Sequence, residues 1–214
     1  MRLTHFGHSC VLAELNDTTV LFDPGNFSHG FEGITGLDAV MITHQHPDHV
    51  DVARLPALVE NNPGAALYCD PQTATQLGDT WTPVRAGDEF DVGGIHVTGS
   101  GGMHATIHPE LPTIDNTVYL LGDAENPARL MHPGDSLYVP DVEVDVLALP
   151  AAAPWLKIWE AIDYLRAVAP RVAVPIHQAI IANEATGIFY GRYSEMAAER
   201  TEFRVMPEEN SIEV

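Results

Sequence analysis

Lysine is almost absent from this sequence. Lys157 is the single example among 214 residues, and with nine arginines it faces 30 acidic residues, for a formal charge of −20. Phosphate backbones are bound by clustered Lys and Arg, so nucleic acid is excluded as a high-affinity partner. Cysteine is nearly as scarce: Cys10 and Cys69 are too few for a disulfide framework and read as small buried hydrophobes. Long apolar runs are missing too, and nothing is long enough to cross a bilayer. The start, Met1-Arg2-Leu3-Thr4-His5, lacks the apolar stretch of a secretory signal. These absences give the expectation of a soluble cytoplasmic protein with no membrane partner. Low-complexity tracts, charge blocks and short repeats are lacking as well, so one domain over residues 1–214 is expected, large enough to bury a core.

What is present is a strand-rich first half. Leu3 to Phe6, Cys10 to Leu15 and Thr19 to Phe22 alternate like strands around an Asn16-Asp17 turn. A loop with Phe27, His29 and Phe31 covers Pro24 to Gly36 and reads as a lid. The short apolar strand Ala39 to Ile42 runs into a histidine cluster. Helical spacing follows over Asp51 to Asn61, then strands around residues 65–69, 89–92, 94–98, 117–121, 128–131 and 144–149. Pro154 opens a helix carrying Trp155 and Trp159, a strand over 172–174 leads through Ile176 to His177, and a last helix covers about 187–200. The three tryptophans, with Trp81, read as core. Strands followed by alternating helices and strands suggest two sheets with helices outside them.

The chemistry concentrates in Thr43-His44-Gln45-His46-Pro47-Asp48-His49. If the preceding strand continues through it, its two-residue period puts His44 and His46 on one face as a pair of metal ligands. Pro47 ends regular pairing, so Asp48 and His49 curl toward a second ion. The bland alternative is a polar loop before a helix, with Asp48 or Asp51 as its cap. Three imidazoles and a carboxylate within six residues favour metal.

The run His44 to His49 resembles the HxHxDH signature of the metallo-β-lactamase superfamily, and further motifs of that family occur in order. Leu21-Phe22-Asp23-Pro24, Gly102-Met103-His104, Gly134-Asp135-Ser136 and Pro175-Ile176-His177 resemble its other site-forming segments. The resemblance implies an α/β fold, a four-layer αββα sandwich with metals at one edge. It implies His44, His46 and His104 on one metal, Asp48, His49 and His177 on the other, and Asp135 bridging both. His96 and His108 compete with His104 for the third-histidine place. Asp23 reads as orienting a ligand histidine. Gly7-His8-Ser9-Cys10 resembles a motif of the lactonase-like branch, in which His8 lines the pocket; a structural histidine is the alternative there and for His132.

Two divalent ions are therefore expected, Zn first, with Mn or Fe also compatible with the N and O donors. The implied activity is that of a hydrolase in which metal-bridging hydroxide attacks a small-molecule ester or lactone, with Asp48 orienting it or moving its proton. Phosphodiester hydrolysis and a metal-holding binding protein without turnover are the alternatives. Tyr190 and Arg192 read as helix surface, with a substrate contact as the second reading. Oligomeric state is left open.

Overall fold

The structure is a computed structural model that describes residues 1–207 and 210–214. Two seven-stranded sheets face each other. The first runs in the order β14 (Ser211–Glu213), β1 (Arg2–His5), β2 (Val11–Leu15), β3 (Thr18–Phe22), β4 (Ala39–Ile42), β5 (Ala66–Cys69), β6 (Thr82–Pro83). The second runs β13 (Glu202–Phe203), β12 (Val172–Ile176), β11 (Val146–Pro150), β10 (Leu130–His132), β9 (Asp115–Gly122), β8 (Ile95–Met103), β7 (Glu89–Val92). Helices α1 (Leu55–Asn61), α2 (Pro71–Leu77), α3 (Ile158–Val168) and α4 (Asn183–Met196) complete the chain.

Each sheet repeats one pairing scheme. From β14 to β3 the pairings are antiparallel, and from β3 to β6 they are parallel. Likewise β7 to β10 pair antiparallel and β10 to β13 parallel.

Strand periodicity explains the layers. In β11, Val146 and Ala148 belong to the apolar cluster that joins both sheets, while Leu147 and Leu149 belong to a second cluster with Ala161, Ile162 and Leu165 of α3. In β4, Ala39 and Met41 face the shared core, whereas Val40 and Ile42 join Leu55 and Leu58 of α1. Strands buried on both faces read as continuous apolar runs, which is why these segments stand out in the sequence. Helix, sheet, sheet and helix stack in that order, the αββα sandwich of the expectation.

Several expected boundaries move. The strand before the histidine cluster ends at Ile42, so His44 and His46 lie in a loop and owe nothing to strand alternation. Helix α3 starts at Ile158, leaving Trp155 in the loop before it. Trp81 is core, but Trp159 is 56% exposed. Helix α2 and strands β6, β13 and β14 were not foreseen. Among the described residues no helix is long and apolar enough to cross a membrane.

Candidate metal centre

The functional residues collect at one end of both sheets, each just beyond a strand: His8 after β1, Asp23 after β3, His44 to His49 after β4, His104 after β8, Asp135 after β10 and His177 after β12. In α/β sheets this carboxyl end is where backbones diverge and leave room for a ligand. The two loops from β3 and β4 are laced together. Asn26 N–H donates to Pro47 O (2.8 Å) and Asp51 N–H to Pro24 O (2.9 Å), and a Cβ on Gly25 would lie 1.8 Å from Asp48 O. Arg54 ties down the Pro24 to Gly36 segment, donating to the carbonyls of Gly25 and Ser28 with its guanidinium over the buried Phe31. This fixes most of the segment expected as a lid; Phe27 remains 47% exposed, its ring 5.2 Å from His8.

Two groups of donors result. His8, Asp48, His49 and His177 form one, and His44, His46, His104 and Asp135 the other, with the ligand atoms of each group within 4.8 Å of one another. Asp135, of the second group, also faces the first. Its Oδ2 lies 3.3 Å from His104 Nε2, while Oδ1 lies 3.1 Å from His49 Nε2 and 3.2 Å from His177 Nε2.

The surroundings fix the tautomers, because a carbonyl or carboxylate partner can only accept. His177 donates Nδ1–H to Ala152 O (2.6 Å), His104 donates Nδ1–H to Ala105 O (2.5 Å), and His49 donates Nδ1–H to Asp23 Oδ2 (2.6 Å). Thr43 Oγ1 donates to Asp23 (2.8 Å) and so accepts at His44 Nδ1 (3.1 Å). In all four rings Nε2 then faces the site; that of His44 lies 3.0 Å from His46 Nδ1. Those of His49, His104 and His177, with Asp135 Oδ1, are buried and without a hydrogen-bond partner. Orphaned buried polar atoms are costly, and four gathered around one carboxylate fit cations.

Charge supports the same fit. Burial alone would raise the carboxyl of Asp135, but the His177 and His49 imidazoles hold it well below the usual range. Asp48 is held down likewise, by the hydrogen bond from His8 and by His49 and His177. Burial lowers the His44 and His46 imidazoles, keeping them neutral. Anionic carboxylates beside imidazoles suit a hard to borderline divalent ion, and Asp135 and Asp23 outweigh burial to raise the His49 imidazole well above its usual value, so the cluster attracts positive charge. Backbone strain gathers here too. His8, Asp23 and His177 have φ of 51°, 44° and 64° in the left-handed region that non-glycine residues avoid.

The other histidines sort clearly. His8 is fully buried, donates Nε2–H to Asp48 Oδ2 (3.0 Å), and burial pushes its imidazole down to about 4. His132 is buried under the site, donating to Ser9 O (3.1 Å) and stacked on Phe22. His96 pairs with the exposed Asp91, and His108 accepts from Glu110 N–H, so neither competes with His104. Neither Asp48 nor Asp51 caps α1, whose N-cap is Arg54; Asp51 accepts from Ala53 and Arg54 N–H in the turn before it. Tyr190 packs on Phe203 and Arg192 pairs with Glu195, away from the cluster. Sequence reasoning missed Trp155, whose indole donates to Asp135 Oδ2 (2.8 Å), and the Ala152 carbonyl. A tryptophan in an apolar-looking segment gives no such signal, and a backbone carbonyl gives none at all.

The chain also resembles known proteins. The family model of the β-lactamase superfamily domain matches residues 2–177. The chain belongs to the metallo-β-lactamase superfamily, as a metal-dependent hydrolase of that fold. It is 64% identical over 212 residues to Protein Rv0786c of Mycobacterium tuberculosis, covering 99% of each chain. A UPF0173 metal-dependent hydrolase of Salinibacter ruber is 30% identical over 200 residues, covering 83% of this chain and 84% of its own. The solved structure of Igni18, a metallo hydrolase of Ignicoccus hospitalis, shares the fold with a TM-score of 0.74 at 21% identity, covering 99% of this chain and 97% of that one.

Proposed function

We propose that this chain holds two divalent cations, zinc first among them, and hydrolyses a small ester or lactone with an apolar acyl part, as in the lactonase-like branch. The observation that carries the reading is the division of Asp135, one oxygen toward each group of donors. His44, His46 and His104 would hold one ion, Asp48, His49 and His177 the other, with Asp135 shared. Bound at such a site, the pair of ions supplies water acidified from about 15.7 to near 7 and a Lewis acid for a carbonyl oxygen.

The chain's own groups do the rest. Asp48 is the least buried of these carboxylates, with its side chain 22% exposed, and is placed to take a proton from attacking water and return it to the leaving alkoxide. His8 holds Asp48 in place by its Nε2–H and walls the pocket behind it.

The mouth favours an uncharged substrate. A recess in front of His46 and His104 is lined by Ile107, Leu111 and Pro112, and no lysine or arginine lines it. Ile107 and Leu111 are exposed there, as is Phe27 against His8. A phosphodiester would find no cationic side chain in that recess, which sets phosphodiesterase activity second.

The test pairs elemental analysis with a substrate panel. Protein purified without chelator is expected to carry two metal equivalents per chain and to cleave chromogenic esters or lactones faster than thioesters and phosphodiesters. One equivalent after incubation with excess Zn²⁺ overturns the paired site. Inactivity on the whole panel with two ions bound overturns the hydrolase mechanism in favour of a metal-holding protein.

A further inference from the structure

Strand β11 is followed by Ala151-Ala152-Ala153-Pro154-Trp155, a segment that contributes no candidate ligand yet touches two of them. Its anchorage is firm. Ala151 N–H donates to Ile176 O (2.9 Å), the Tyr193 hydroxyl donates to Ala151 O, and Leu156 N–H returns to Ala153 O (3.0 Å) in a bridged turn. From this anchored turn the Ala152 carbonyl receives His177 Nδ1–H (2.6 Å), and the Trp155 indole reaches Asp135 Oδ2 (2.8 Å) with its ring 5.9 Å from that of His104.

We propose that Trp155 is a positioning residue for the metal centre, its indole N–H setting the rotation of the Asp135 carboxylate so that one oxygen faces each group of ligands. This rests on the reading of Asp135 as the shared carboxylate.

The need for such a device follows from the side chain. The terminal torsion of aspartate is broad and roughly two-fold. The Asp135 backbone is fixed, with its N–H on Asn116 Oδ1 (2.9 Å) and its carbonyl receiving Ala105 N–H (2.8 Å), but neither bond restrains the carboxylate plane. The histidines around the carboxylate offer Nε2 lone pairs, which repel its oxygens unless an ion or proton intervenes. An indole N–H is a donor and nothing else. It engages one lone pair of Oδ2 and leaves the other for an ion. It also brings no charge, whereas a lysine or arginine in its place would hold the carboxylate while repelling the cation. Partners that orient ligands in this way typically govern metal affinity by about 10–100-fold.

The test is Zn²⁺ titration of the metal-free full chain against a competing chelator, for wild type, W155F and W159F. W155F keeps an aromatic ring and loses the N–H; Trp159 is exposed on α3 with Lys157 over its ring, so W159F is the control. The expected result is Zn²⁺ binding weakened about 10–100-fold in W155F, and unchanged in W159F. Should W155F also melt lower without metal, the benzothienyl analogue of tryptophan at position 155, with sulfur in place of N–H and the same shape, separates packing from donation. Weakened binding in that analogue supports the proposal. Wild-type affinity in W155F or in the analogue overturns it. The wild-type stoichiometry tests the paired site and the affinity ratio tests Trp155, so the two fail separately.

Discussion

His49 Nδ1 lies 2.6 Å from Asp23 Oδ2, and both side chains are wholly shielded from solvent. Asp23 also accepts from Thr43 N–H (2.7 Å) and Thr43 Oγ1 (2.8 Å), so one carboxylate at the end of β3 orients the loop after β4 and one of its imidazoles. In D23N an amide N–H₂ replaces one of these acceptor oxygens. Turned toward His49, it forces the ring into the tautomer with the proton on Nε2, the atom needed for an ion. Zn²⁺ affinity is expected to fall about 10–100-fold, measured by competition titration. Unchanged affinity would show that Asp23 does not set the tautomer.

Removing metal tests the orphaned nitrogens directly. With Nε2 of His49, His104 and His177 unpartnered, the metal-free chain carries buried polar atoms that an ion would satisfy. Dialysis against a chelator should lower the melting temperature, and Zn²⁺ should restore it. Free Zn²⁺ at a hundredfold excess over Kd stabilises by about 2.7 kcal/mol per site. A melting temperature indifferent to both treatments would mean these residues hold no ion in the folded state.

The lacing of the β3 and β4 loops depends on Gly25. A methyl there meets Asp48 O at 1.8 Å and His49 N at 2.6 Å, both backbone atoms that cannot swing aside. G25A is expected to destabilise by about 1–3 kcal/mol, the range for overpacking, and to weaken Zn²⁺ binding because the displaced residues include candidate ligands. Chemical denaturation and metal titration read the two effects. Full stability and affinity together would require the loops to be more yielding than their hydrogen bonds imply.

Asp70, which is no candidate ligand, gives a pH prediction. It caps α2, accepting from Gln72 N–H (3.0 Å) and Thr73 N–H (3.1 Å) with one oxygen, while its other oxygen is buried without a partner. Burial raises its carboxyl to about 6. Between the ordinary value near 4 and about 6, the folded chain keeps a proton that the unfolded chain has released. Stability from this group is therefore full below pH 4 and is lost as pH rises through 6, by about 3 kcal/mol in all. D70N keeps a good cap without the charge. Urea melts of the chelated protein should show D70N gaining on wild type between pH 4.5 and 7.5. A constant difference across that range would remove the titration from the account.

Much of this protein is legible in its residues alone. Strands such as β4, β11 and β12 announce themselves as apolar runs because both faces of each sheet are covered, one by the other sheet and one by helices. The cluster His44 to His49 is equally plain, since donors of the right chemistry crowd into six positions. Local pattern also placed Asp135 and His177 beyond strands. It failed where the cause is not local. Helix α2 is short, and its start is set by the buried Asp70 cap and Pro71, a signal easily read as a turn. Strand β14 exists because Arg2, Leu3 and Thr4 pair with it from the far end of the chain.

The sequence by itself determined the fold class and named the candidate donors, because both are written in residue type and spacing. The resemblance already implied how those donors divide; only the tertiary structure set one oxygen of Asp135 toward each group and decided which atoms orient them. Asp23, the Ala152 carbonyl and Trp155 meet the ligands only when the strand ends converge. Hydrogen bonds of this kind depend on distances of a few tenths of an ångström between segments far apart in the chain, which residue order does not encode locally.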